Sequence, residues 1–372
     1  MKFTFAQPVM QKALQRVIGA ISPRVPIPSL SNLHFKLENN DLKITSTDLD
    51  ITINASVALT GSEGSGGVLV QAKRFLELIR ELPELPLEVN VPEPGKVFLK
   101  GESIGSYTIP GGDPADFPEL PEVNANLAFT TDADDLKRMI TKTIFAVSND
   151  EMRPVLTGPL LQVRPNEVRF VATDGHRLSR LIHRNIEYSG DQRDVIVPMK
   201  ALNLLMRNLD TDDRPELGLA ETRASFKTEN QTLITRLIDG NYPRYESVIP
   251  DANPGKLTVN TAEFMSAARR VSIFANQLSK QIRLHIDSNS VRLETEDQEL
   301  GGQAQEEIAV NYVGEPLEIA YNSQYLMDVL KQIDTEEVIF EMGGEDDAAI
   351  VRPSSQEDNE DFLMLLMPIR LR

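Results

Sequence analysis

Three tandem α+β units, each an internally duplicated β-α-β-β-β motif, is the architecture this sequence predicts, and three recurrences predict it. A short strand leading into an amphipathic helix opens at Phe3, Phe129 and Leu257, at spacings of 126 and 128 residues. A second strand-to-helix passage recurs at Val70, Val197 and Tyr321. Asp116-Phe117-Pro118 matches Asn241-Tyr242-Pro243 one period later. A period of that length in a 372-residue chain marks repeated domains, each large enough to bury its own core.

The first helix of each unit places its apolar residues on one face. Met10, Ala13, Leu14, Val17, Ile18 and Ile21 follow the helical spacing, as do Leu136, Met139, Ile140, Ile144 and Val147, and Phe264, Ala267, Ala268, Val271 and Ala275. The second helices carry Phe75, Ile79 and Leu82, then Leu202, Met206 and Leu209, then Leu326, Leu330 and Ile333. Six helices are therefore expected, over 8–22, 71–82, 134–148, 198–209, 262–276 and 322–333. Between them the chain alternates as strands: Leu33–Leu37 turns at Asn39-Asn40-Asp41 and returns through Leu42–Thr45. Gly61–Gly67 reads as a flexible hairpin loop, because it lacks the Lys-Ser/Thr of a phosphate-binding loop. Phe362–Met367 is short enough to be a buried strand. The joints fall in turn formers near Asn124-Ala125-Asn126 and Asp251–Gly255, giving domains 1–126, 127–252 and 253–372.

Composition excludes several classes. The chain has no cysteine, hence no disulfide framework or thiolate metal site. No apolar run approaches the length of a membrane helix and no secretory leader opens the sequence, so a cytoplasmic location is expected. The formal charge is −18, which as a total argues against nucleic acid. The distribution argues otherwise. Within the expected helices stand Lys12, Arg16, Lys73, Arg74, Arg80, Lys137, Arg138, Lys142, Lys200, Arg207, Arg269, Arg270 and Lys331, against only Glu77, Glu81, Asp134, Asp135, Glu263 and Asp328. A cationic helical layer facing something anionic, with acidic sheets facing solvent, fits this separation, although Lys and Arg are also simply good helix formers. Six helices are too few to enclose a duplex. Two chains supply twelve, and twelve helices of about 10 Å diameter close into a ring with a hole on the order of 28 Å. A head-to-tail pair gives such a finite ring, with helices inside and antiparallel sheets outside.

Together with these repeats, the motifs Val171-Ala172-Thr173-Asp174-Gly175-His176-Arg177-Leu178, Asp239-Gly240-Asn241-Tyr242-Pro243, Met367-Pro368-Ile369-Arg370-Leu371 and the opening Met1-Lys2-Phe3-Thr4 are specific in combination. The chain resembles, from end to end, the bacterial β sliding clamp family, the processivity subunits of DNA polymerase III. The resemblance implies three clamp domains in a homodimeric ring that slides on DNA without catalysis, cofactor or metal. It implies partners in duplex DNA, the polymerase III catalytic subunit, the clamp loader, and other polymerases and repair proteins. These insert a short peptide carrying a glutamine, a leucine and a terminal aromatic residue. Carried over by position, the peptide pocket is Arg153, Leu156, Thr173, Gly175, His176, Arg177, Leu178, Pro243, Val248, Leu365, Leu366, Met367, Pro368 and Ile369. An extended peptide over an apolar groove suits such residues physically. For DNA the resemblance implies Arg24, Lys73, Arg74, Lys200 and Arg207, contacting phosphate without base readout, because base contacts would pin the ring. For the subunit interface it implies Tyr107, Ile109, Ile273 and Phe274. Charge adds a pairing of Lys73 or Arg74 with Glu306 or Glu307. The sequence departs from the family at Pro154 and Val155, where aromatics are common, at Ser247, where some relatives are basic, and in ending on Arg372.

Two other readings stay open at this level. One is an acidic scaffold for protein partners alone, insensitive to charge reversal at Arg24, Lys73 and Lys200. The other is a hydrolase built on Asp174 and His176, although no serine nucleophile elbow or histidine-rich metal spacing accompanies them.

Overall fold

The structure is a computed structural model, and it describes residues 1–22, 27–93, 95–120, 123, 127–188, 190–297 and 301–370. The first repeat contains β1 (Lys2–Ala6), α1 (Gln7–Val17), β2 (Asn32–Glu38), β3 (Asp41–Thr47), β4 (Ile51–Val57), β5 (Gly61–Glu63), β6 (Gly66–Gln71), α2 (Ala72–Glu81), β7 (Pro86–Asn90), β8 (Lys96–Gly101) and β9 (Tyr107–Gly112). The second contains β10 (Leu127–Thr130), α3 (Ala133–Ile144), β11 (Leu160–Arg164), β12 (Glu167–Thr173), β13 (Arg177–Arg184), β14 (Arg193–Ile196), α4 (Met199–Asn208), β15 (Glu216–Leu219), β16 (Arg223–Lys227) and β17 (Gln231–Arg236). The third contains β18 (Gly255–Asn260), α5 (Thr261–Ser272), β19 (Gln281–Ile286), β20 (Ser290–Asp297), β21 (Gly302–Ala309), β22 (Asn311–Val313), β23 (Leu317–Asn322), α6 (Ser323–Leu330), β24 (Glu337–Met342), β25 (Ala349–Pro353) and β26 (Glu360–Leu366). This is the duplicated β-α-β-β-β plan in three tandem copies.

Local chemistry explains the elements. Phe3 and Phe5 alternate into the core of β1, and Met10, Ala13, Leu14 and Val17 bury one face of α1. Asn260 and Asn322 cap α5 and α6 with their side-chain oxygens. Asn39 and Asn40, both at positive φ (49° and 68°), make the tight turn between β2 and β3. The first helices are shorter than their apolar periodicity suggests. Ile18–Ala20 tighten into a 3-10 turn after α1, and α3 and α5 end before Val147 and Ala275. Gly61–Gly67 is not a free loop: Gly61–Glu63 pairs with Lys2–Thr4 at a sheet edge, and the reversal is confined to Gly64 and Ser65. The joint foreseen at Asn124-Ala125-Asn126 lies outside the described residues.

The chain forms two compact units, Met1–Leu136 with Lys200–Leu237, and Lys137–Met199 with Ile238–Arg372. In the first, one antiparallel sheet runs β10-β15-β16-β17-β4-β3-β2-β6-β9-β8-β7-β1-β5 among the described residues. In the second, the described strands run β14-β11-β12-β13-β26-β25-β24-β18-β22 and β21-β20-β19-β23. Each unit therefore contains one seam between repeats, and each seam is an antiparallel strand pair. β4 meets β17 from Ile51↔Thr235 to Ala55↔Gln231, and β13 meets β26 from Arg177↔Leu366 to His183↔Glu360.

Ion pairs brace both seams. In the first unit Lys12 and Arg16 of α1 both reach Asp210, at 2.9 and 2.7 Å. In the second, Arg138 and Lys142 of α3 both reach Asp334, at 2.8 and 2.7 Å, and Arg138 also grips the buried Glu360 with two hydrogen bonds. Burial pushes the Asp334 carboxyl up, but hydrogen bonds from Lys142 and Arg138 outweigh it and hold the group below its ordinary value of 3.8. Asp334→Asn leaves Lys142, itself only 5% exposed, with no carboxylate. The expected loss is about 1–2 kcal/mol, discounted from a fully buried pair because Asp334 is half exposed. A group with a depressed folded value stabilises above about pH 4, and that contribution is lost as pH falls through the folded value. Urea unfolding should therefore separate the variant from the parent at pH 7, and the difference should shrink progressively as pH falls below about 4.

Candidate functional site

The groove expected from the sequence lies at the β13–β26 seam, inside the second unit. β12 ends at Thr173, the chain turns through Asp174, Gly175 and His176, and β13 leaves at Arg177. Asp174 organises this turn. Its Oδ1 accepts the backbone N–H groups of His176 and Arg177 at 2.9 and 3.0 Å, and its Oδ2 accepts Arg177 Nε at 3.1 Å. Thr173 Oγ1 donates to the Arg177 carbonyl and accepts the Gly175 N–H. Gly175 sits at φ +93°, where a side chain is strained. The C-terminal segment is fastened to the turn, since the Met367 N–H donates to the His176 carbonyl at 2.9 Å. Two residues on, Ile369 N–H donates to the carbonyl of Ala320 on β23 at 2.7 Å.

Most of the expected pocket residues come together here, in two roles. Leu156, Leu178, Leu365 and Leu366 are buried. Leu178 and Leu365 belong to a cluster with Leu160, Val171, Ile196, Tyr245, Ile350 and Leu363, so they are the floor beneath the groove. Pro243, Val248 and Met367 are exposed, and Pro368 and Ile369 are half-buried. Val248 at 54% and Met367 at 39% are large apolar side chains left facing solvent. They flank a cavity of about 480 Å³ lined also by Ser247, Ile249, Pro250, Asn253, Asp346 and Asp347. Arg153 pairs with Asp150 and reaches the Asp174 carbonyl at 3.3 Å. Val155 packs on the floor cluster, and a side chain at Gly240 (φ +127°) would meet it at 2.6 Å.

Four contributors, Tyr242, Phe145, Tyr325 and Asp328, are not among the pocket residues that the resemblance implies. Tyr242 offers its hydroxyl to the Thr173 N–H at 3.0 Å, and burial pushes its phenol up. Arg177 is sandwiched, with its guanidinium 4.6 Å from the Tyr325 ring and 5.3 Å from the Phe145 ring. It also pairs with Asp328 at 2.7 Å and donates to the Phe145 carbonyl. His176 also stacks on Tyr325, with ring centroids 5.9 Å apart. Burial raises the Asp328 carboxyl, but hydrogen bonds from Arg177 and Lys331 prevail and hold it below 3.8. Arg177 is thus a framework residue of the groove. Asp174 is spent on capping the turn, which removes it from any acid–base role beside His176.

The other expected residues distribute as follows. On the helices, Lys73, Arg74 and Arg207 are exposed and, among the described residues, have no ion pair, as do Arg80 and Arg269. Lys200 is engaged by Asp48. Arg24 lies outside the described residues, as do Leu371 and Arg372. The cationic layer is thinner than its count, because Lys12, Arg16, Arg138, Lys142, Lys200, Arg270 and Lys331 are committed to carboxylates of the same chain. Ile273 and Phe274 are exposed at 75% and 45% beyond α5, beside β21, which carries Glu306 and the exposed Glu307. Glu306 is held by Arg270 of its own chain at 2.6 Å. Tyr107 is half-buried on β9, but Ile109 is 4% exposed and points into the core. Among the described residues no side-chain cluster could hold a metal ion, and no helix is long and apolar enough to cross a membrane.

Arg177→Lys keeps the charge and loses both the planar stacking and the fork of donors. The amide hydrogens of His176 and Arg177 should then exchange about tenfold faster, measured by mass spectrometry. An unchanged rate would mean that the Asp174 cap alone holds the turn.

Comparison with known proteins accords with this arrangement. Family models for the N-terminal, central and C-terminal domains of the DNA polymerase III beta subunit match residues 1–121, 130–244 and 246–370. The beta sliding clamp of Pseudomonas aeruginosa is 32% identical over the full length of both chains, and that of Bacillus subtilis is 29% identical, again covering both completely. A solved sliding clamp from Pseudomonas aeruginosa, bound to griselimycin, superposes with a TM-score of 0.94 at 30% identity, covering all of both chains. One from Bacillus subtilis gives 0.92 at 28% identity with the same coverage. Matched along its whole length in sequence and in fold, the chain belongs to the DNA polymerase III beta subunit family, the sliding clamps, which serve DNA replication as processivity factors without catalysing a reaction.

Proposed function

We propose that two copies of the chain close head to tail into a ring around duplex DNA, and that the groove at Thr173–Leu178 and Leu365–Ile369 tethers short linear motifs of the replicative polymerase, the clamp loader and repair proteins. The carrying observation is the pattern of strand pairing. Each half-repeat ends in one strand: β4 and β9, then β13 and β17, then β21 and β26. Two seams join a first-half end to the second-half end of the next repeat, β4 to β17 and β13 to β26. The same rule next calls for β21 to β9, and within one chain that pair is not made. Among the described residues β21 is an edge strand, and Tyr107–Pro110 of β9 pair on one side only, with β8. An unpaired edge is a template for another chain, and β21 of one copy meeting β9 of the next uses up both edges in a closed pair.

The exposed Ile273 and Phe274 stand beside β21 and supply the apolar part of this join. Ile109 contributes from beneath, as packing for β9. The domain limits 1–126, 127–252 and 253–372 and a cytoplasmic place of action belong to the same reading. Lys73, Arg74 and Arg207, with Lys200 and Arg24, would face phosphates without reading bases.

Ile273→Asp with Phe274→Asp should turn the dimer into a monomer in sedimentation velocity. It should also abolish retention on linear duplex DNA capped at both ends. Retention of the parent protein on capped DNA, and loss once one end is cut free, supports encirclement. Equal loss from both, after threading onto uncapped DNA has been detected, leaves a protein scaffold. Reversing Lys73, Arg74 and Arg207 to Glu should lower the salt dependence of binding, log K against log salt, by about three per chain.

A further inference from the structure

The two seams within the chain carry the same charge lock in the same register. Helices α1, α3 and α5 begin at residues 7, 133 and 261, and α2, α4 and α6 at 72, 199 and 323, so their positions correspond one to one. At the first seam, Lys12 and Arg16 converge on Asp210, the second residue beyond α4. At the second, the corresponding Arg138 and Lys142 converge on Asp334, which corresponds to Asp210. Each lock is reinforced through the backbone. Asn208 Nδ2 donates to the Arg16 carbonyl at 2.8 Å, and Lys142 Nζ donates to the Gln332 carbonyl.

The third set of corresponding positions is Ser266 and Arg270 on α5, and Pro83 beyond α2. Serine has no cation and proline no carboxylate. The remaining Arg270 is turned onto Glu306 of its own β21, with two hydrogen bonds of 2.8 and 2.6 Å. Ser266 and Pro83 are both exposed, as is Glu84, the next residue after Pro83. We propose that the surface between copies is a third seam of the same build from which the cation–carboxylate lock has been left out, which makes it the weakest join of the closed assembly. This rests on the ring reading above. What holds the copies together is then strand pairing between β21 and β9, the apolar contact of Ile273 and Phe274 and the pairing of Lys73 or Arg74 with Glu307, without the helix-to-helix lock that each seam inside the chain has in addition.

The lock can be put back. Pro83→Asp with Ser266→Lys recreates the arrangement of Arg138, Lys142 and Asp334 between copies. Subunit exchange between donor- and acceptor-labelled dimers, followed by energy transfer, reads the strength of the join directly. The restored lock should slow exchange about five- to tenfold, as a partly buried, charge-assisted pair would, and the slowing should shrink at high salt. Pro83→Lys with Ser266→Lys removes the same proline and should not slow exchange. An unchanged rate for the restored lock overturns the proposal. So does faster exchange in Glu84→Gln alone, because Glu84 would then already serve as the missing carboxylate. If sedimentation shows no dimer in the parent protein, the ring reading itself falls.

Discussion

Unpaired backbone at the end of each repeat is the constraint on which the rest of this structure depends. A strand edge removed from water without a partner leaves N–H and C=O groups unsatisfied. Antiparallel pairing of β4 with β17 and of β13 with β26 meets that demand twice within the chain. The central repeat is consequently divided. Its β10 and β15–β17 join the sheet of the first repeat, and its β11–β14 join strands of the third. The compact units of the chain therefore straddle the repeat boundaries, and side chains follow suit: the paired cations of α1 and α3 are placed where a seam needs bracing.

The groove is a by-product of a seam, and the molecule contains its own control for that statement. Thr47-Asp48-Leu49-Asp50 makes the same turn at the first seam. Asp48 Oδ1 accepts the N–H groups of Asp50 and Ile51, and Thr47 Oγ1 accepts that of Leu49. Arg236 N–H donates to the Asp50 carbonyl just as Met367 N–H does to that of His176. The Thr-Asp turn thus accompanies both seams and is not peculiar to the groove. What differs at the second seam is the chemistry set upon it. Gly175 replaces Leu49, which endures φ +81°, and Arg177 with its aromatic sandwich replaces Ile51. The exposed Val248 and Met367 complete an apolar surface there.

Much of the fold was legible because helical periodicity and turn chemistry are local. Phe3, Phe129 and Leu257 each open a strand-helix passage, and Asn39-Asn40 announces a tight turn. Helix ends were less legible: Val147 and Ala275 keep the apolar period after the hydrogen-bonding has changed, because burial continues where the helix does not. In the groove, the motif residues were found, but sequence cannot separate floor from lining. Leu365 and Met367 are two apolar residues two apart, one 2% and the other 39% exposed. Tyr325 and Asp328 were invisible as groove residues because they arrive from a helix some 150 positions away from Arg177. The charge of the helices was read correctly as a count and overestimated as a surface, since a lysine such as Lys142 gives no sign in sequence that a carboxylate of its own chain already holds it.

That commitment of cations has a consequence for motion. A polyanion passing a surface is slowed by every contact that must break before the next can form, so a densely charged lining would act as a brake. Here the helices present few uncommitted charges: Lys73, Arg74, Arg80, Arg207 and Arg269 are exposed without an ion pair among the described residues, while Lys12, Arg16, Arg138, Lys142, Lys200, Arg270 and Lys331 are each held by a carboxylate of the same chain. In the ring proposed above, such a surface would grip weakly at any one place. Confinement would then be permanent while friction stays low, because what prevents escape would be closure and what resists displacement only a handful of screened contacts.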